Sequence, residues 1–179
     1  MITRTTIRNF SLTLVVVLNC TLVTQNALGD ITFEKIDAKT RQIIAGAHDK
    51  ITVNEKIDGK SRFDFTMANV KNVTIGTKNP DNDRIDGQSS VTGSCERFFV
   101  DGRIDGRSRV EVTTRHFEVT DRVDGQSTVI VTFPPGGGTI IIGNRIDGGA
   151  KLHYRRSNKG DKVRIEVKVE DGAEVKEIE

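Results

Sequence analysis

The stretch that decides the fold is Arg103-Ile104-Asp105-Gly106-Arg107-Ser108-Arg109-Val110-Glu111-Val112. Taken in steps of two, Ile104, Gly106, Ser108, Val110 and Val112 are apolar or small, while the residues between them are charged. Side chains of a strand alternate between its two faces, so this is the pattern of a half-buried strand.

The same phrase returns along the chain. Arg84-Ile85-Asp86-Gly87, Arg122-Val123-Asp124-Gly125 and Arg145-Ile146-Asp147-Gly148 are full copies. Lys56-Ile57-Asp58-Gly59 and Lys35-Ile36-Asp37-Ala38 are weaker ones. The parity persists in each: Ile57, Gly59, Ser61, Phe63, Phe65; Ile85, Gly87, Ser89, Val91; Val123, Gly125, Ser127, Val129, Val131; Ile146, Gly148, Ala150, Leu152, Tyr154. A second, shorter apolar run fills the rest of each unit, as in Val73-Thr74-Ile75, Phe98-Phe99-Val100 and His116-Phe117-Glu118-Val119.

Asp-Gly between apolar runs is ordinarily a hairpin signal, and an antiparallel hairpin array is the competing architecture. A two-residue turn at Asp105-Gly106 would set Ile104 against Arg107 and Asp101 against Val110, apolar against polar in every copy, which a one-sided core disfavours. A three-residue loop would put Glu55, Asp83, Gly102, Asp121 and Asn144 on the apolar face, and these are turn formers. The simpler expectation places a corner before each Arg or Lys and runs a strand through Ile-Asp-Gly. The anchors recur at intervals of 21, 28, 19, 19 and 23 residues. Units of about 20 residues that cannot close a core alone stack into solenoids. The expected fold is all-β: a parallel β-solenoid of about six coils over residues 30–170, followed by a charged tail at 171–179.

The remaining segments have simpler readings. Residues 1–29 read as a secretory signal peptide: Arg4 and Arg8, an apolar stretch at 10–23 too short for a stable membrane span, and Ala27-Leu28-Gly29 with small residues where a signal peptidase cuts. Lipidation of Cys20 is the rival use of this segment, opposed by Asn19, where a small residue is wanted. The mature chain is expected to start near Asp30, with no integral membrane span, in the secreted, periplasmic or cell-surface space of a bacterium. Removal of Cys20 leaves Cys95 alone, so no intramolecular disulfide forms. Residues 41–47 are read as a short helix covering the first coil. Residues 79–83 lengthen a corner, and the acidic end of the chain is expected to fray.

Chemistry is sparse. The net charge is +2, and without Arg4 and Arg8 the chain carries 25 basic against 25 acidic residues, no field for nucleic acid. His48, His116 and His153 occupy unrelated repeat positions, so neither a metal set nor a triad base emerges. Gly59-Lys60-Ser61 lacks the first glycine of a phosphate-binding loop. No catalytic, cofactor-binding or metal residue is assigned, and no cofactor is expected. The candidate ligand or inter-coil face is the outward charge column Arg84, Asp86, Arg103, Asp105, Arg122, Asp124, Arg145 and Asp147. Its expected role is a ladder of Arg–Asp contacts between coils, with cell-envelope polysaccharide as the alternative partner and a carbohydrate-active or carbohydrate-binding helix as the alternative function. Loops between the long and short runs, at Thr114-Arg115, 133–138 and 155–161, are expected to emerge along one edge. Open coil ends allow head-to-tail self-association.

Over residues 35–169 the pattern of small and β-branched inward positions is loosely similar to β-solenoid repeat proteins, including the polymer-forming bactofilins and exported adhesin-type helices. The resemblance implies a non-enzymatic structural or surface-binding role and transfers no catalytic residue.

Overall fold

The computed structural model describes residues 5–6, 13–17, 20–25, 29–77, 83–170 and 172–179, with Asp83 and the strands within residues 5–25 described as backbone only. The leader reading and the corner at 79–82 therefore fall largely outside the described residues. What is described beyond residue 29 is a parallel β-solenoid built of three ladders.

The first ladder contains the anchors. Ile36, Ile57, Ile85, Ile104, Val123, Ile146 and Val169 bridge one to the next in parallel. Seven anchors bound six turns, a stack about 29 Å tall at the ~4.8 Å spacing of hydrogen-bonded strands. Each step carries regular backbone bonds: Asp105 N–H donates to Ile85 O at 2.9 Å, Asp124 N–H to Ile104 O at 2.9 Å and Asp147 N–H to Val123 O at 3.1 Å.

The second ladder follows each anchor. Residues 41–46, 62–65, 90–94, then Arg109–Thr113, Thr128–Phe133, Lys151–Arg156 and Glu174–Glu177 pair in parallel, with a register shift in the first coils between Ile43 and Ala45 and another between Phe65 and Val70. The third ladder contains Ile31–Phe33, residues 51–53, 72–75 and 97–100, then His116–Val119, Gly138–Ile142 and Val163–Glu166, again parallel. In the first coils the second and third ladders belong to continuous strands, Arg41–Val53, Arg62–Ile75 and Ser90–Val100. From Thr114 onward a loop separates them. The antiparallel pairings, Thr5–Thr6 with Ile31–Phe33 and Thr13–Val17 with Cys20–Gln25, lie at the N-terminal end. The hairpin array is thereby excluded.

The inward parity holds through the stack. Ile57, Ile85, Ile104, Val110, Phe117, Val123, Val129, Ile140 and Ile146 are fully buried, as are the aromatic rings of Phe63, Phe65, Phe98 and Phe117. Phe98 and Phe117, neighbours in the third ladder, stack with centroids 5.6 Å apart. Gly93 lies opposite Phe65 in the second ladder, and a Cβ there would fall 2.2 Å from the Phe65 ring. Gly93 thus makes room for the Phe65 ring in a narrow interior.

Three local expectations are corrected. Residues 41–47 are strand, because Gln42 and Ile44 face the interior at period two. Ile-Asp-Gly does not run as a strand: the ladder touches each anchor residue, and the chain then turns, with Ser61 N–H donating to Asp58 O, Ser89 to Asp86 O and Ser127 to Asp124 O at 3.2–3.3 Å. Asp-Gly is therefore turn chemistry after all, used as a corner between ladders rather than to fold a strand back on itself. Gly59 and Lys60 both have positive φ (67° and 65°), as do Gly87 and Gln88 (64° and 69°), the signature of a type I′ turn. Finally, the acidic end is ordered into Glu174–Glu177, and Val169 is a seventh anchor hidden by the substitution of Lys168 and Glu170 for Arg and Asp.

Candidate functional site

The turn geometry places each Asp of the charge column. Its Oδ1 accepts the amide of the following glycine at 2.5 Å in Asp58, Asp86, Asp105 and Asp124. That oxygen also lies where the next coil's glycine passes. A Cβ on Gly125 would sit 2.8 Å from Asp105 Oδ1 and 2.6 Å from Gly106 O, and the residue's φ is +66°. Glycine is needed twice over, for the left-handed backbone and for close approach. The aspartate thus fixes its own turn and forms the floor for the next.

The other carboxylate oxygen meets the basic residue two positions earlier: Lys35–Asp37 at 2.8 Å, Lys56–Asp58 at 3.0 Å, Arg122–Asp124 at 3.3 Å and Arg145–Asp147 at 2.5 Å, with Arg103–Asp105 longer at 3.8 Å. These pairs run within a coil, where the sequence had suggested contacts between coils. An inter-coil contact occurs at the C-terminal end, Arg145 Nε to Glu170 at 3.0 Å. Arg84 departs from the column. Its side chain is buried, its Nε donates to Asp101 O, and its aliphatic part covers Gly76.

Electrostatics follow from these contacts. Burial pushes the Asp58 carboxyl up, but the Lys56 ammonium and the Gly59 amide together outweigh it and hold the group below the ordinary aspartate range. Asp147 is lowered mainly by the Arg145 guanidinium. A divalent cation needs several oxygens converging on one point. At Asp58, Asp105 and Asp124 one carboxylate oxygen is committed to an amide and the other faces a cation. Among the described residues, no group of three or more His, Cys, Asp or Glu side chains is arranged to hold a metal ion.

The loop edge is also built. Arg115 Nη2 donates to Pro135 O at 3.0 Å, the Gly136 amide to Asp161 Oδ1 at 3.0 Å, and Ser157 Oγ to Phe133 O at 2.7 Å. The insertions brace one another from coil to coil. Beneath them Glu96, Arg97, Arg115 and His116 line an open cleft of about 430 Å³. His116 Nε2 lies 3.0 Å from Glu118 Oε2, while His48 hydrogen-bonds the carbonyls of Gly29 and Ala45 and His153 stands 3.7 Å from Glu174. The three histidines lie on separate rungs. Cys95 is buried, and desolvation pushes its thiol up to about 12, which removes it as a nucleophile at neutral pH.

Sequence reading allowed for open coil ends, but not for the exposure of the anchor column at one of them. The last coil, residues 163–177, has the same inward parity as the others, but Val163, Ile165, Val167, Ala173 and Val175 are only partly buried and Val169 is 47 % exposed. At the other end Ile31, Phe33, Ile36 and Ile44 are at most 2 % exposed. The signal was present in Val169 and Ala173, which repeat the spacing of Ile146 and Ala150, but without an Arg or an Ile to mark it.

The fold and its stacked Asp turns define a parallel β-solenoid repeat protein. Comparison with protein-family models, with curated proteins and with solved structures finds no match to this chain. Among the described residues no helix is long and apolar enough to cross a membrane.

Proposed function

We infer that the chain is an exported, non-enzymatic scaffold whose coils stack end to end on further copies of itself. The carrying observation is the open last coil. Its inward residues continue the core columns, yet they reach solvent, and Val169 is 47 % exposed in the anchor column where every other anchor is at most 2 % exposed. An unpaired parallel edge above an apolar column favours another strand of the same parity. A contact between unlike ends does not close, so it propagates. The pattern-level similarity to polymer-forming bactofilins points the same way, and the apolar leader at residues 1–29 supports action outside the cytoplasm.

The paired charge column fits this role better than ligand capture. Asp58, Asp105 and Asp124 serve their own turns and their own basic neighbours, which leaves those carboxylates little unsatisfied hydrogen-bonding capacity for a polysaccharide. Sedimentation velocity over a hundredfold concentration range tests the reading. A weight-average mass that rises with concentration supports it, whereas a concentration-independent monomer of the chain lacking residues 1–29 overturns it.

A further inference from the structure

The two ends of the stack differ in what covers them, and the covering strand lies in the segment read as a leader. Residues 20–25 pair in parallel with residues 41–46, Cys20 opposite Arg41 and Gln25 opposite Gly46. Thr5–Thr6 occupies the neighbouring edge, on Ile31–Phe33. Cys20–Gln25 therefore takes the place of an extra rung in the second ladder, below the first coil. The last rung of that same ladder is Glu174–Glu177, which among the described residues pairs on one side only.

The register of the second ladder says what would happen if one copy's last rung took that place. Glu174 pairs with Lys151, Lys151 with Thr128, Thr128 with Arg109, Arg109 with Ser90, Ser90 with Arg62, and Arg62 with Arg41. One step further, Glu174 of one copy meets Arg41 of the next. The third ladder runs from Ile165 through Ile140, Phe117, Phe98 and Val73 to Ile51 and Ile31. Continued by one step, it sets Ile165 on Ile31 and Arg164 on Asp30. The anchors bring Val169 onto Ile36. Opposite charges thus meet at Glu174–Arg41 and Arg164–Asp30, and apolar side chains at Ile165–Ile31 and Val169–Ile36, while Val175 falls on the inward Gln42. Lys168 would also stand toward Asp37 as Arg145 stands toward Glu170 one coil earlier. Glu177 opposes the joint, since its column is inward and ends on Ile44. Arg156 binds both of its carboxylate oxygens, at 2.6 and 2.7 Å, and holds the charge at the coil edge.

We propose that Cys20–Gln25 and the Glu174–Glu177 strand of a second copy are alternative occupants of one edge, so that removal of the leader opens the N-terminal coil to in-register, head-to-tail stacking. This rests on the end-to-end reading above and adds its register and its control. Two strands cannot pair with the same edge of residues 41–46, so occupancy by one excludes the other. Polar contacts at the joint are exposed and weak singly. The apolar columns supply most of the attraction, and the charges choose register and polarity.

The test uses the full chain carrying a specific protease site inserted after Gly29, folded and purified before cutting. Expected is a concentration-independent monomer before cutting and a rise in light scattering and sedimentation coefficient after it, with circular dichroism unchanged. In the cut chain Glu174→Arg should lower assembly at least tenfold in midpoint concentration, and adding Arg41→Glu should restore it. If cut and uncut chains assemble alike, leader control is overturned while end-to-end stacking stands. If neither assembles, both readings fall. If Glu174→Arg is without effect, or Arg41→Glu fails to restore it, the register is wrong.

Discussion

The first coil and the last coil obey one pattern and meet solvent differently. Ile31, Phe33, Ile36 and Ile44 are buried, while Ile165, Val167, Val169 and Val175, which hold corresponding or neighbouring inward positions six turns away, are partly exposed. The residue types are alike, so composition does not explain the contrast. A solenoid coil buries its inward face only against the coils above and below it, and each repeat contributes through its neighbours. Both coils are terminal in the repeat, but Thr5–Thr6 and Cys20–Gln25 cover the first, whereas among the described residues the last has a neighbour on one side only and keeps part of that burial. Position in the stack, rather than the side chain, sets what each apolar residue contributes.

The strongest way to sharpen this contrast is to delete side chains at the middle and at the open end. Phe117 is fully buried and stacks on Phe98. Phe117→Ala should cost about 3–5 kcal/mol of unfolding free energy, from lost transfer energy and the cavity left behind. Val169→Ala, at the open anchor, should cost about 0.5 kcal/mol in the isolated chain. Urea unfolding of the monomer measures both, and equal losses would mean that the last coil is as well packed as the middle.

A smaller but more local contrast lies between turn and loop glycines. Gly125→Ala drives a Cβ against Gly106 O and Asp105 Oδ1 at φ +66°, and should cost about 1–3 kcal/mol. Gly160 has no atom within 4 Å of an added Cβ and no positive φ, so Gly160→Ala should change stability by less than about 0.5 kcal/mol. A neutral Gly125→Ala would show that the corner adapts and that the repeated glycine has another cause.

The parity of the long strands, the parallel stacking and the number of turns were legible from the sequence, because period two is imposed by strand geometry whatever the contacts. Less was legible at corners. Asp105-Gly106 carries the chemistry of a hairpin turn, and whether such a turn reverses a chain or bends it depends on where the next strand finds a partner, which is a tertiary matter. The charge column was found by residue number, but its pairing was assigned between coils when it runs mainly from Arg or Lys to the Asp two positions on. Spacing alone does not distinguish contacts within a coil from contacts between coils, since both fall within reach of a long basic side chain. Arg84 shows the same limit: nothing local foretells that it lies down over Gly76. The seventh anchor was hidden for a different reason. Val169 kept the anchor's parity while Lys168 and Glu170 replaced its flanking Arg and Asp, so the repeated phrase ended at Ile146 and the seventh copy carried no mark of its own.

A further comparison concerns the small inward position four residues after each anchor. Ser61, Ser89, Ser108 and Ser127 are buried there, and among the described residues their hydroxyls find no hydrogen-bond partner. Toward the C-terminal end the same position is Ala150 and then Ala173. A buried hydroxyl without a partner keeps its desolvation cost, so Ser108→Ala should raise stability by about 1 kcal/mol. Ala150→Ser should lower it by a similar amount. Thermal unfolding of the two variants checks the pair, and a loss of stability in Ser108→Ala would place a hydrogen bond where none is seen.

The smallest effect expected is a pH dependence distributed along the stack. Asp58, Asp64 and Asp147 all have carboxyls held below the ordinary aspartate range. At Asp64 burial works against ionisation, but the Thr66 hydroxyl and amide, at 2.7 and 3.2 Å, with Arg62 nearby, outweigh it. A carboxyl depressed in the folded state binds its proton less readily there than in the unfolded chain. Its contribution is then fully present above the unfolded value of about 3.9 and is lost as pH falls through the lower folded value. Melting temperature should therefore be level from pH 7 to about pH 5 as far as these groups are concerned, and should decline below about pH 4. Asp147→Asn should flatten part of that decline, since Arg145 is the main cause of its shift. The same substitution should leave the acid response of the turns at Asp58 and Asp64 in place, because stacked coils couple chiefly to their neighbours and those residues lie several coils away. An unaltered acid profile in Asp147→Asn would mean that Arg145 answers to Glu170 instead, and that the C-terminal coil is held by the pair between coils.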